Sequence, residues 1–126
     1  MLRRDSKLHL AGDLEGPRVA RAFLSDALVS WHQQRHSDVA ALLVSELVTN
    51  AIVHGRSPVQ LRVAMLDSTI RVEVNDDSRE APIRAATRPD EPGGYGLPLV
   101  DSLADEWGYD LIPGDGKRVW FELEAV

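Results

Sequence analysis

Hydrophobic and polar positions along the chain change period several times, and each change marks an element. Leu8, Leu10 and Leu14 alternate with polar residues, which predicts a short first strand. Gly16-Pro17 then opens a helix, with proline where a missing amide costs nothing, and Ala20, Phe23, Leu24, Ala27, Leu28 and Trp31 form its apolar stripe. Residues 40–55 read as a second helix, nearly all apolar, with Asp38 near its start and Gly55 where a left-handed C-terminal cap belongs. Such a helix is expected to be buried on most sides. Its polar exceptions are Ser45, Glu46, Thr49 and Asn50 at i, i+1, i+4 and i+5, continued by His54 a turn later, and helical spacing places them on one strip.

Beyond the break at Arg56-Ser57-Pro58 the period falls to two. Val59, Leu61, Val63 and Met65 alternate with polar or small residues, Asp67-Ser68 turns the chain, and Ile70, Val72 and Val74 alternate again, predicting a hairpin. Counting on by two from Val74 puts Asp76 on the buried face. A carboxylate aimed into a core is costly unless hydrogen-bonded there; the other reading is that the strand has ended and Asp76-Asp77-Ser78 is a turn. Residues 79–92, with three prolines and three arginines and no period, read as a mobile surface loop. The stretch Gly93-Gly94-Tyr95-Gly96 runs into a helix with Leu97, Val100, Leu103 and Ala104 as its apolar positions. Residues 107–112 form a strand, Pro113-Gly114-Asp115-Gly116 a turn, and Val119, Phe121 and Leu123 alternate in a final strand paired with it. Hairpins imply antiparallel pairing and the helices must cover one sheet face. The expected architecture is therefore an α/β two-layer sandwich of the α+β kind, with a mixed, mainly antiparallel sheet in a single domain spanning residues 1–126.

Composition narrows the chemistry. The chain of 126 residues is 44% apolar but only 6% aromatic, so its core is expected to be aliphatic. A net charge of −6 argues against nucleic-acid binding, which needs a basic footprint. The absence of cysteine removes disulfides, thiolate metal sites and thiol nucleophiles together. The basic start has no apolar run behind it, which argues against a signal peptide, and no window reads as a membrane span, so a cytoplasmic location is expected. His32 and His36 have metal-ligand spacing, but no third ligand lies nearby and the stretch reads as a solvated helix end. The glycines at 93, 94 and 96 permit close backbone approach, and the helix start behind them offers free amides, the chemistry of a phosphate cradle or of a plain turn.

Taken in order, these stretches resemble a known pattern. The run from Glu46 to Gly55 resembles the N box of the Bergerat-fold (GHKL) ATP-binding superfamily, which includes gyrase, the heat-shock 90 chaperones and the catalytic domains of histidine kinases. Val72-Glu73-Val74-Asn75-Asp76-Asp77-Ser78 looks like its first glycine box, Gly94-Tyr95-Gly96-Leu97 like its second, and Gly116-Lys117-Arg118-Val119-Trp120 like the strand that closes the pocket. Leu43-Val44-Ser45-Glu46-Leu47-Val48-Thr49-Asn50-Ala51 and Leu99-Val100-Asp101-Ser102-Leu103-Ala104-Asp105 look most like the anti-sigma-factor serine kinases and their actinobacterial relatives.

The resemblance implies ATP and Mg²⁺ as cofactors. It implies Asn50 holding the metal, Glu46 as general base, Asp76 reading the adenine amino group, Ser78 beside it, and the amides around Gly94, Gly96 and Leu97 meeting the phosphates. Arg84 and Arg88 are candidate phosphate contacts from a lid, although a role as solubilising surface charges is favoured over that one. Ser78 stands where the family usually has glycine, and Arg118 stands where a threonine commonly lines the adenine end. The implied partners are an anti-anti-sigma (STAS-type) protein and a sigma factor, and the implied assembly is a homodimer. The implied activity is protein-serine phosphorylation; the alternative is a sequestering module without transfer activity. A histidine kinase catalytic part is disfavoured, since the N-terminal residues leave no room for a phospho-accepting hairpin.

Overall fold

A computed structural model of the chain describes residues 4–54, 58–78, 96–114 and 116–125. The described elements are β1 (Arg4–Leu10), α1 (Gly16–Ser30), a 3-10 turn (Gln34–His36), α2 (Ser37–His54), β2 (Val59–Leu66), β3 (Thr69–Asp76), α3 (Gly96–Leu103), β4 (Glu106–Ile112) and β5 (Gly116–Glu124). The strands form one sheet in the order β1-β2-β3-β5-β4, and every pairing among them is antiparallel. The helices lie on one face of the sheet, giving the two-layer α+β sandwich that the order of periods implies.

Two-residue alternation settles which strand residues meet the helices. Leu8, Leu61, Val74 and Val119 are in register across β1, β2, β3 and β5, as are Ser6, Val63, Val72 and Phe121. Leu61, Val63, Val72, Val74, Val119 and Phe121 of these rows form one buried core with Leu24 and Leu28 of α1 and Leu43, Val44, Leu47 and Val48 of α2, and Leu8 packs against it. Phe121 is fully buried at its centre and is the only aromatic there among the described residues, so branched aliphatics fill the rest. Leu14 is different: it lies outside β1 and is 90% exposed, because the strand ends at Leu10. Leu103, expected on the apolar side of α3, is also exposed; Val100 and Leu99 face the core instead.

Helix α2 packs against α1, α3 and the sheet, which accounts for its apolar character. The segment Gln34–His54 is in fact long enough and, at a mean hydropathy of 1.2, apolar enough to cross a membrane by length and composition, contrary to the expectation from the sequence. Its buried residues Ala40, Leu43, Val44, Leu47, Val48 and Ala51 are spent on the protein core. Gly55, the expected helix cap, lies outside the described residues.

The uncovered face of the sheet is polar. Glu73 is buried there among Arg71 at 2.8 Å, Arg62 at 3.4 Å and Arg118 at 3.6 Å. Arg62 also pairs with Asp5 and Arg71 with Glu122. Trp120 lies over Gly108, where a Cβ would come within 2.8 Å of the indole, and the Arg71 guanidinium sits 4.2 Å from that ring. A concavity of about 350 Å³ on this face is lined by Lys7, Gln60, Arg62, Glu73, Asn75 and Arg118, whose charges largely satisfy one another.

Candidate functional site

The site is built where α2 crosses the ends of β3 and β5. Asp76 is the last residue of β3 and continues the inward set Ile70, Val72, Val74, as counting by two requires. It is 3% exposed, so the carboxylate is inside the molecule and not in a solvated turn. Two groups hold it. The Ser78 backbone N–H donates to its Oδ1 at 2.7 Å, and the Lys117 ammonium stands 3.5 Å from its Oδ2. Ser78 itself is buried at 6% exposed. Its backbone is not in the left-handed region, so serine stands without strain where the family pattern has glycine.

Asn50, 4% exposed, faces the same cleft from α2. Leu47, Ala51, Val74 and Val119 supply the apolar walls, with Asp76 and Lys117 at the polar end, and the side chains close on one another so that the cleft is too narrow for a water molecule. Glu46 precedes Asn50 by one helical turn and is half-buried. Burial pushes its carboxyl above the ordinary value of 4.5.

The polar strip expected on α2 divides in the tertiary structure. At ~100° per residue, Ser45 lies well round the helix from Asn50, and it turns towards α1. There the Arg21 guanidinium donates to Ser45 Oγ at 3.0 Å and Ser45 Oγ donates to the Ala41 carbonyl at 2.8 Å. Glu46 and Thr49 remain between that contact and the cleft, and the exposed Val39, Leu42 and Val53 share their side of the helix.

Arg118 does not line the cleft. It is in register with Asn75 and Asp110 on the uncovered face and reaches towards Glu73, so it is removed from the adenine end where the sequence pattern had placed it. The inward residue of β5 at this level is Lys117, in register with Asp76. Sequence reasoning missed Lys117, although counting back by two from Val119 reaches it. Gly116 makes the approach possible: it has φ +85°, and a Cβ there would collide with the Asp76 carbonyl oxygen and come within 2.8 Å of Asp77 Cα.

Of the remaining expected site residues, Gly96 and Leu97 form the first turn of α3, which packs on α2 and β4. Gly94, the loop at 79–92 and its Arg84 and Arg88 lie outside the described residues. His32 and His36 do not share a helix. Helix α1 ends at Ser30, His32 has φ 60°, and His36 closes the 3-10 turn with Arg35 beside its ring at 3.2 Å. Among the described residues no group of three or more His, Asp or Glu side chains converges on a metal position. Asn50 offers one carboxamide oxygen in the cleft, which would suit an ion that keeps waters and substrate oxygens for most of its shell, as Mg²⁺ does.

Comparisons with known proteins agree with this fold. A family model described as "Histidine kinase-like ATPase domain" matches residues 10–123. Among solved structures, the chain is similar to the histidine kinase domain of a blue-light activated histidine kinase from Erythrobacter litoralis EL346, with 25% identity and a TM-score of 0.53. That match covers 84% of this chain and 61% of the other, so the chain spans less than two thirds of that structure's length. No curated protein matches it. With the family model spanning residues 10–123, the chain belongs to the histidine kinase-like ATPase domain family, an ATP-binding family.

Proposed function

We propose that the chain is an Mg·ATP-dependent protein-serine kinase of the anti-sigma type, acting on a serine of a small anti-anti-sigma (STAS-type) protein and switching that protein's binding. The observation that carries this reading is Glu46, retained one turn before Asn50, half-buried and with its carboxyl raised by desolvation towards the range of a working base. Bound Mg·ATP would supply the phosphoryl group. Asn50 would hold the metal through its carbonyl oxygen, and Asp76 would accept from the adenine amino group. The first amides of α3, at Gly96 and Leu97, offer donors suited to phosphate oxygens. Glu46 would orient the acceptor serine and take its hydroxyl proton.

A second reading is a sequestering module that holds a sigma factor or its antagonist without transferring phosphate. The Asp76–Lys117 pair favours it, because the buried carboxylate is neutralised with no nucleotide required. A homodimer, implied by the family resemblance, and a cytoplasmic location are part of the proposal.

Transfer from labelled ATP to a cognate anti-anti-sigma protein decides between the two readings. Wild type should transfer, and Glu46→Gln should bind ATP yet transfer ~10²-fold more slowly or worse, the scale of losing a general base. Asn50→Ala should lose both binding and transfer. Wild type that binds ATP and never phosphorylates a cognate partner would establish the sequestering module.

A further inference from the structure

The buried ammonium of Lys117 has no part in the roles assigned so far. It is 2% exposed, it projects from β5 onto the helix-covered face, and it lines the cleft beside Asp76. An ammonium so placed is expensive unless its charge and its donors are used. Asp76 supplies the charge, but at 3.5 Å the contact is longer than the ~2.7–3.2 Å of an N–H···O hydrogen bond. The pair is therefore loose and leaves donor capacity for a ligand. Asp76 Oδ1 already accepts from Ser78, while Oδ2, the oxygen facing Lys117, retains lone pairs.

A fixed acceptor and a fixed donor thus stand side by side at the polar end of a narrow cleft walled by Leu47, Val74 and Val119. The edge of a planar heterocycle that carries a donor next to an acceptor would complement that pair. Adenine presents that order, with the 6-amino group adjacent to N1. We propose that Lys117 is a second base-reading residue, donating a hydrogen bond to N1 of adenine while Asp76 accepts from the neighbouring amino group. The inference rests on the proposed binding of Mg·ATP and adds to it a residue that discriminates by the ring nitrogen. A 6-oxopurine has a proton on N1 and an acceptor at position 6, so both contacts are reversed for it.

The test pairs a ligand atom with a protein atom. The full chain is titrated calorimetrically with ATP and with 1-deaza-ATP, which has C–H in place of N1, each with Mg²⁺, for wild type and Lys117→Met. Wild type should bind 1-deaza-ATP about tenfold or more weakly than ATP, the scale of a hydrogen bond to a charged group. Lys117→Met should bind ATP more weakly and treat the two nucleotides alike. Equal binding of both by wild type, or an unchanged preference in folded Lys117→Met, overturns the proposal. Circular dichroism checks the fold of the variant. If Lys117→Met does not fold, Lys117→Gln, which keeps a donor without the charge, should show a reduced preference of the same sign, and an undiminished one overturns the assignment. Wild type that binds neither nucleotide overturns the ATP reading itself, a result distinct from binding both equally.

Discussion

The backbone N–H of Ser78 donates to the Asp76 side chain two residues before it, at 2.7 Å, so the carboxylate that ends β3 is oriented by its own chain. That local bond leaves the second oxygen to the interior, where Lys117 meets it. Asp76 is thus a fixed acceptor before any ligand arrives, which lowers the ordering cost of binding.

Asp76→Asn should keep the acceptor for Ser78 and lose the charge. ATP affinity should fall by tenfold or more on the scale of a charge-assisted hydrogen bond. Stability should fall as well, by up to about 3–5 kcal/mol, because Lys117 is left buried without its counter-ion. Adding Lys117→Gln should recover much of the stability but not the affinity. Urea denaturation and calorimetry of the single and double variants separate the two effects.

Glu46 should set an acid limit on phosphoryl transfer. Burial raises its carboxyl above 4.5, so the basic form is lost at a higher pH than for an exposed glutamate as the solution is acidified. The rate should therefore begin to fall while the pH is still above 4.5, and Glu46→Gln should be slow and flat across the same range. A pH profile of single-turnover transfer checks this. An acid limb that persists in Glu46→Gln would assign it to another group.

Glu73 should make folding acid-sensitive. Burial pushes its carboxyl up, but the hydrogen bond from Arg71 and the charges of Arg118, Arg62 and Arg71 outweigh this and hold it below 4.5. A carboxyl lowered by folding stabilises the native state above its unfolded value, and that contribution is lost as the pH falls through the folded value. Glu73→Gln should therefore cost about 1–3 kcal/mol near neutrality, with the arginines keeping Asp5 and Glu122 as partners. The difference from wild type should shrink at pH values below 4.5. Denaturation of both proteins at several pH values measures it.

Gly116 and Gly114 offer a matched pair of substitutions in one turn. Both have positive φ, at +85° and +78°, so alanine at either costs about 1–2 kcal/mol in backbone conformation. At Gly114 the new Cβ meets open space, whereas at Gly116 it strikes the backbone of Asp76 and Asp77. Gly116→Ala should be the more destabilising of the two and should also weaken ATP binding by displacing β5 from β3. Gly114→Ala should leave binding intact. Thermal melts with and without nucleotide compare them.

Much of this site could be read from local periods, because a period belongs to one segment. Two-residue alternation through Ile70, Val72 and Val74 places Asp76 inward, and helical spacing places Glu46 and Asn50 one turn apart; both hold in the folded chain. The sequence also determines, through Val119, Phe121 and Leu123, that Lys117 rather than Arg118 faces the helices. What it does not determine is that Lys117 meets Asp76, since that depends on β5 being inserted between β3 and β4 and on its register against β3. Nor does it show that Ser45 leaves the polar strip for Arg21, which depends on where α1 crosses α2. Long-range packing decided these two contacts, because strand register and helix rotation are set by residues far apart in the chain and by the core they bury together.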